Sequence, residues 1–171
     1  SVSFNRNVGH DYLEDYEERY ELYNKKESRI QFDLEYFNKI TKGGLPNKTL
    51  NIALAGTGVG KSLFMCHHAS AVLLEGKNVL YITLEMAEEK IAERIDANLL
   101  NVNIQEIVDL PKPIFESKVT NLAKKTQGSL IIKEYPTASA HSGHFKALLN
   151  ELALKKSFKP DIIFIDYLNI C

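Results

Sequence analysis

Cysteine is scarce in this chain of 171 residues: Cys66 and Cys171 are the only two, too few for the disulfide framework on which small secreted domains depend. Cys66 falls inside an apolar helical pattern that suits a reduced thiol, so a reducing, cytosol-like compartment is expected. Long apolar runs are also missing. None approaches the roughly 20 residues that span a bilayer, and the polar start SVSFNRNVGH is unlike a signal peptide. A soluble protein with no membrane partner is the expectation. Charge of one sign is lacking too, since 21 Lys and Arg face 22 Asp and Glu for a formal net charge of -1. That balance excludes a global basic field, so contact with nucleic acid would need a local patch or residues outside this sequence. No repeat, low-complexity tract or initiator Met is present, and the chain stops at Cys171 directly after a buried-strand pattern. An excised fragment is expected.

What is present suffices for one core of ordinary domain size, with 44% hydrophobic and 25% charged residues. Residues 1–10 carry no periodicity. Tyr12, Tyr16, Tyr20 and Tyr23 then recur at helical spacing with acidic residues on the other face, which predicts an amphipathic helix over about residues 11–25. Residues 32–45 predict a short helix ending in Gly43-Gly44, and Pro46-Asn47 a turn. From there strand and helix patterns alternate. Leu50 to Ala55 reads as a parallel strand covered on both faces, followed by a helix that Gly76 is placed to end. Val79–Leu84 reads as a second strand, and Ile91, Ile95 and Leu99 mark a helix with Glu88 and Glu89 favourably in its first turn. Helix, strand and helix follow around Phe115–Leu122, Leu130–Ile132 and Phe145–Leu152, and Asp161–Asp166 is the last strand. This order predicts an α/β fold, a mainly parallel sheet flanked by helices.

The strongest chemical signal is residues 55–62, A-G-T-G-V-G-K-S, between a predicted strand and a predicted helix. It matches the relaxed phosphate-binding loop, with Ala55 where the stricter pattern has glycine. Gly56, Gly58 and Gly60 let the backbone wrap so that N–H groups point at phosphates. Thr57, Val59 and Leu63 complete the predicted nucleotide-binding stretch. Lys61 would place a point charge at the β- and γ-phosphates, and the Ser62 hydroxyl would be a Mg²⁺ ligand. A chance glycine-rich turn is the bland alternative.

Two carboxylates stand at strand ends, where open α/β sheets bind ligands. Asp166 closes Ile162-Ile163-Phe164-Ile165 and would give the second Mg²⁺ contact through a coordinated water, as a Walker B aspartate does; alternatively it merely begins a turn. Glu85 closes Val79–Leu84 and could orient and deprotonate an attacking water, a role worth about 10²–10⁴-fold. Its alternative is a helix-start glutamate held by the dipole.

With T-L-E-M at Thr83–Met86, A-G-T-G-V-G-K-S, and I-D-Y-L at Ile165–Leu168, the chain resembles the motor domain of DnaB-type replicative helicases. Within that family it is most similar to the form found in T-even bacteriophages, through I-T-K-G-G (Ile40–Gly44), L-E-M-A-E-E (Leu84–Glu89), R-I-D-A-N (Arg94–Asn98) and L-L-N-E-L (Leu148–Leu152). The resemblance covers roughly residues 9–171. It implies a RecA-like P-loop NTPase core over 30–171, truncated after the Walker B strand, and a linker with an amphipathic helix over 1–29. It also implies ATP or another NTP with Mg²⁺, a homo-hexameric ring, and movement along single-stranded DNA gripped by loops beyond this sequence. Primase and replisome partners of the full-length protein, and the cytoplasm of a host cell if the chain is phage-encoded, follow in the same way. Glu85 and Lys61 would be the catalytic residues, and Arg94 a structural or inter-subunit one.

Other signals carry less. Cys66, His67 and His68 are adjacent in a helix and cannot jointly cage an ion. His141 and His144 suit a helix start, and Lys155, Lys156 and Lys159 a helix end; no zinc is expected. The tyrosine stripe could stack bases, but its acidic neighbours argue against that. A RecA-like recombinase or regulatory ATPase is the alternative on the same fold. A small-molecule kinase is disfavoured by the lack of an arginine-rich lid. A nucleotide-binding, subunit-contacting module without turnover is the alternative from another class.

Overall fold

The computed structural model describes residues 9–136 and 140–166. Cys171, and the Tyr167 and Leu168 of the I-D-Y-L run, lie outside the described residues, as do the first eight residues of the expected linker.

The sheet that organises the fold has three parallel strands. β3 (Val79–Thr83) lies between β4 (Leu130–Glu134) and β5 (Ile162–Asp166), with Tyr81 opposite Ile132 and Phe164 and with Thr83 opposite Glu134 and Asp166. Every residue of β3 is buried, as suits a central strand of largely apolar sequence. Alternation along the strand divides the core. Val79 and Tyr81 face one layer with Cys66, Ala69, Val72 and Leu73 of α3 (Lys61–Leu74) and Ile91 and Ile95 of α4 (Glu88–Leu99). Leu80 and Ile82 face the opposite layer, with Leu148 and Leu152 of α6 (Ser142–Lys156).

The helices form where the apolar period predicts them. α3 ends at Gly76, whose φ of 82° is reached without steric cost by glycine. Ile91 and Ile95, four apart in α4, share one buried face; truncating the fully buried Ile91 to Ala would cost about 2–5 kcal/mol. α5 (Lys112–Lys125) follows Pro111. At α6, His141 and His144 form a reciprocal cap: His141 Nδ1 accepts from Gly143 N at 3.0 Å and His144 Nδ1 from His141 N at 3.2 Å. The expected helix-start role of this pair is observed.

Three sequence expectations require correction. Leu50 to Ala55 is not a buried strand: no described strand pairs with it, and Leu50, Ile52 and Leu54 are 77%, 71% and 95% exposed. An apolar run marks what a segment buries when it has a neighbour; it does not supply the neighbour. Both sides of β3 are taken by β4 and β5, and the run pairs with neither of these among the described residues. Second, the tyrosine helix is shorter than its pattern. α1 is Tyr16–Asn24, and none of its residues is buried. Tyr12 lies before it, in a turn where the Asp11 carboxylate accepts from the N–H groups of Leu13 and Glu14, a local bond that competes with helix. Third, the 32–45 stretch is helical only in α2 (Glu35–Ile40), and it is bracketed by a small antiparallel pair, β1 (Arg29–Ile30) with β2 (Leu45–Pro46).

Candidate nucleotide and metal site

Residues 55–60 connect the irregular 50–55 segment to α3 as a largely exposed loop. Gly58 and Gly60 have φ of 75° and 101°, and no atom lies within 4 Å of where a Cβ would stand at either. The loop is therefore left-handed at two points and open above both. Gly60 is the N-cap of α3: its carbonyl accepts from Phe64 N at 2.9 Å. Lys61, Ser62 and Leu63 form the first turn, where a helix leaves N–H groups unpaired and its dipole favours an anion.

Asp166 ends β5 at the carboxyl edge of the sheet and is only 2% exposed. Lys61 Nζ lies 3.3 Å from Oδ1 as an ion pair, yet that oxygen makes no hydrogen bond of good geometry among the described residues. Oδ2 accepts from the Tyr81 hydroxyl at 3.1 Å, and the Cys66 thiol reaches that same hydroxyl at 3.7 Å. Burial pushes the Tyr81 phenol well above its ordinary pKa, with Cys66 and Asp166 adding to the effect. Burial likewise raises the Cys66 thiol. Both stay protonated near neutral pH.

Glu85 follows directly. Leu84 N donates to Asp166 O at 2.8 Å, so Glu85 leaves the sheet one residue beyond that bond. The turn carrying it is held twice. Thr83 Oγ1 donates to Met86 O at 2.7 Å and accepts from Met86 N at 3.1 Å. Glu88 Oε1 accepts from Glu134 N at 2.8 Å while Glu134 Oε2 accepts from Glu88 N at 3.2 Å. The backbone is thus pinned on both sides of an exposed Glu85 side chain.

Of the residues singled out from sequence, Lys61 and Asp166 are in contact. Ser62 and Leu63 sit in the first turn of α3, Gly56, Thr57, Gly58 and Val59 lie on the exposed loop, and Glu85 stands at the same sheet edge. Arg94 is half-buried on α4, near enough to Cys66 for its charge to oppose part of the burial effect on the thiol. His67 and His68 diverge as adjacent helical residues must: His67 bonds Asp33 and Asn98, while His68 is buried and stacked on Phe32. Sequence reasoning missed Tyr81. The signal was available, as the one aromatic in the strand V-L-Y-I-T, two residues before Thr83 and hence on its face.

A family model described as the DnaB-like helicase C terminal domain matches residues 30–171. The chain belongs to this family. It is 49% identical over 174 aligned positions to a DnaB-like replicative helicase of Enterobacteria phage T4, an alignment that takes in 100% of this chain. The chain spans 37% of that relative's length. The DnaB-type resemblance and the RecA-like α/β fold it implied therefore hold. The glycine loop, Lys61 and the carboxylate of Asp166 lie together at the carboxyl edge of the sheet, and their chemistry is of a kind that fits a cation and a triphosphate. Among the described residues a buried carboxylate oxygen has no hydrogen bond, a lysine faces it, and the loop is open where an anion would sit. Among the described residues no helix is long and apolar enough to cross a membrane.

Proposed function

We propose that this chain is the nucleotide-hydrolysing part of the motor domain of a ring-forming replicative DNA helicase. The observation that carries the reading is the Lys61–Asp166 pair at the end of β5, beside the glycine loop. The N–H groups of the loop and of the first turn of α3 bind phosphate oxygens, and Gly56, Thr57, Gly58, Val59, Gly60 and Leu63 contribute through their backbone. Lys61 exchanges its contact with Asp166 for the phosphate chain. Ser62 and Asp166 would hold Mg²⁺. When bound, Mg²⁺ and ATP, or another nucleoside triphosphate, supply the phosphoryl group and the charge that neutralises it. Glu85, presented by a pinned turn, orients the attacking water and accepts its proton.

Residues 1–29 are read as a linker ahead of a core over 30–171. The full-length protein would assemble as a homo-hexamer, contact single-stranded DNA through residues outside this chain, and work with a primase and other replisome proteins in the cytoplasm of the cell. One observation favours a second reading, in which this chain alone binds nucleotide without turnover: the segment leading into the glycine loop is exposed and, among the described residues, unpaired with any strand. The test is triphosphate hydrolysis and strand separation by the full-length protein with and without single-stranded DNA. DNA-stimulated hydrolysis and unwinding are expected. Nucleotide binding without hydrolysis in the full-length protein would favour the second reading.

A further inference from the structure

Tyr81 is fully buried at the centre of β3, its ring stacked on Phe164 with centroids 5.8 Å apart and planes 17° apart. Phenylalanine would fill that space with the same contacts. A hydroxyl costs free energy when taken out of water unless it is bonded, so its presence is explained by its partners. The strand register supplies them. Thr83 is opposite Asp166 and Tyr81 is opposite Phe164, so the tyrosine sits diagonally across the β3–β5 pair from the aspartate, within reach of a long side chain. The phenol donates to Asp166 Oδ2 at 3.1 Å, a bond strengthened by the charge of the acceptor.

The direction of the chain is set from its other end. Cys66 lies 3.7 Å from the phenol oxygen as donor, so the phenol accepts from the thiol and its single hydrogen goes to the carboxylate. Were the phenol to donate to sulfur instead, Oδ2 would be left buried without a partner. With Oδ2 committed, the carboxylate cannot turn, and Oδ1 is the oxygen that faces Lys61.

We propose that Tyr81 is a positioning residue for Asp166: its hydroxyl, aligned by Cys66, holds the carboxylate so that Oδ1 is presented to the cation of the nucleotide site. The inference rests on the reading of Asp166 as a metal-side carboxylate, and deepens it. Tyr81 itself touches neither nucleotide nor metal.

The experiment uses the full-length protein, with Mn²⁺ and ADP as probes and electron paramagnetic resonance to measure free Mn²⁺. Tyr81→Phe keeps the ring and removes the donor, and should weaken Mn²⁺ binding to the ADP-loaded protein by roughly tenfold. ADP affinity without metal should stay unchanged. Cys66→Ala, which does not touch Asp166, should weaken Mn²⁺ in the same direction by about threefold. Asp166→Asn separates the two levels of the argument. If Asp166→Asn weakens Mn²⁺ and folded Tyr81→Phe does not, the positioning role is overturned while the metal role of Asp166 stands. If Asp166→Asn has no effect either, the underlying site reading falls. Should Tyr81→Phe not fold, unchanged Mn²⁺ affinity in Cys66→Ala overturns the proposal.

Discussion

Lys61 Nζ stands 3.3 Å from Oδ1 of Asp166, joining the first residue of α3 to the last residue of β5. The aspartate is buried, so this cation is what makes an ionised carboxylate tolerable there. Under the proposed function, a triphosphate with its own cation would replace each charge with its opposite number.

Lys61→Ala should abolish most triphosphate binding, because the backbone loop offers dipoles but no full positive charge. Isothermal titration with Mg²⁺-nucleotide on the full-length protein gives the answer. Equal affinity in wild type and variant would remove Lys61 from the phosphate site.

Glu85→Gln should leave nucleotide affinity near wild type and lower turnover by about two orders of magnitude or more, since an amide cannot accept the proton of water. The turn holding position 85 is bonded through Thr83, Met86, Glu88 and Glu134, so the substitution should not disturb the fold. Near-normal steady-state hydrolysis would place the base elsewhere.

His68 should make stability fall in acid. Burial lowers its pKa from the ordinary 6.5 to about 4, against a smaller raising effect of the Asp33 carboxylate and with His67 adding to the lowering. Neither ring nitrogen has a hydrogen-bond partner among the described residues. The unfolded chain takes up this proton near pH 6.5 and the folded chain only near pH 4, so the contribution is complete above pH 6.5 and is lost as pH falls toward 4. The loss is up to about 3 kcal/mol. Urea unfolding at pH 7 and pH 4.5 should show a smaller difference for His68→Phe, which keeps the stacking on Phe32, than for wild type; identical differences would contradict the assignment.

Replacing Tyr16 and Tyr20 with Ser should weaken self-association of the full-length protein without changing nucleotide affinity per subunit. Both are exposed and α1 buries none of its residues, while a helix of this length is marginal alone in water, so a groove on a neighbouring subunit is the proposed partner. Sedimentation velocity across a concentration series is the measurement, and unchanged assembly would count against the exchange.

Backbone amides of residues 50–55 should exchange quickly with deuterium in this chain and slowly in the full-length protein. The segment is apolar, exposed and, among the described residues, unpaired, and a strand from outside this sequence is the proposed neighbour. Equal exchange in the two would mean that no such neighbour exists.

Features that depend on neighbouring residues were legible in the sequence. The helices α3 to α6 and the strands β3 to β5 follow apolar periodicity, and the glycine loop, Gly76 and the paired histidines of α6 follow turn and cap chemistry. The strand-end positions of Asp166 and Glu85 were readable for the same reason, as each apolar run ends beside its carboxylate. Tyr12 shows the limit even of local reading, because an aspartate bonded to two backbone amides overrode the helical stripe. What the tertiary structure decided was every relation across the chain: that β3 is central, that Tyr81 is diagonal to Asp166 and bonds it, that Lys61 meets Asp166, and that Leu50 to Ala55 pairs with no strand among the described residues. Periodicity says which face of a segment seeks burial, whereas pairing is settled by which distant segments compete for the same edge of a sheet and in what register, and no single segment carries that information.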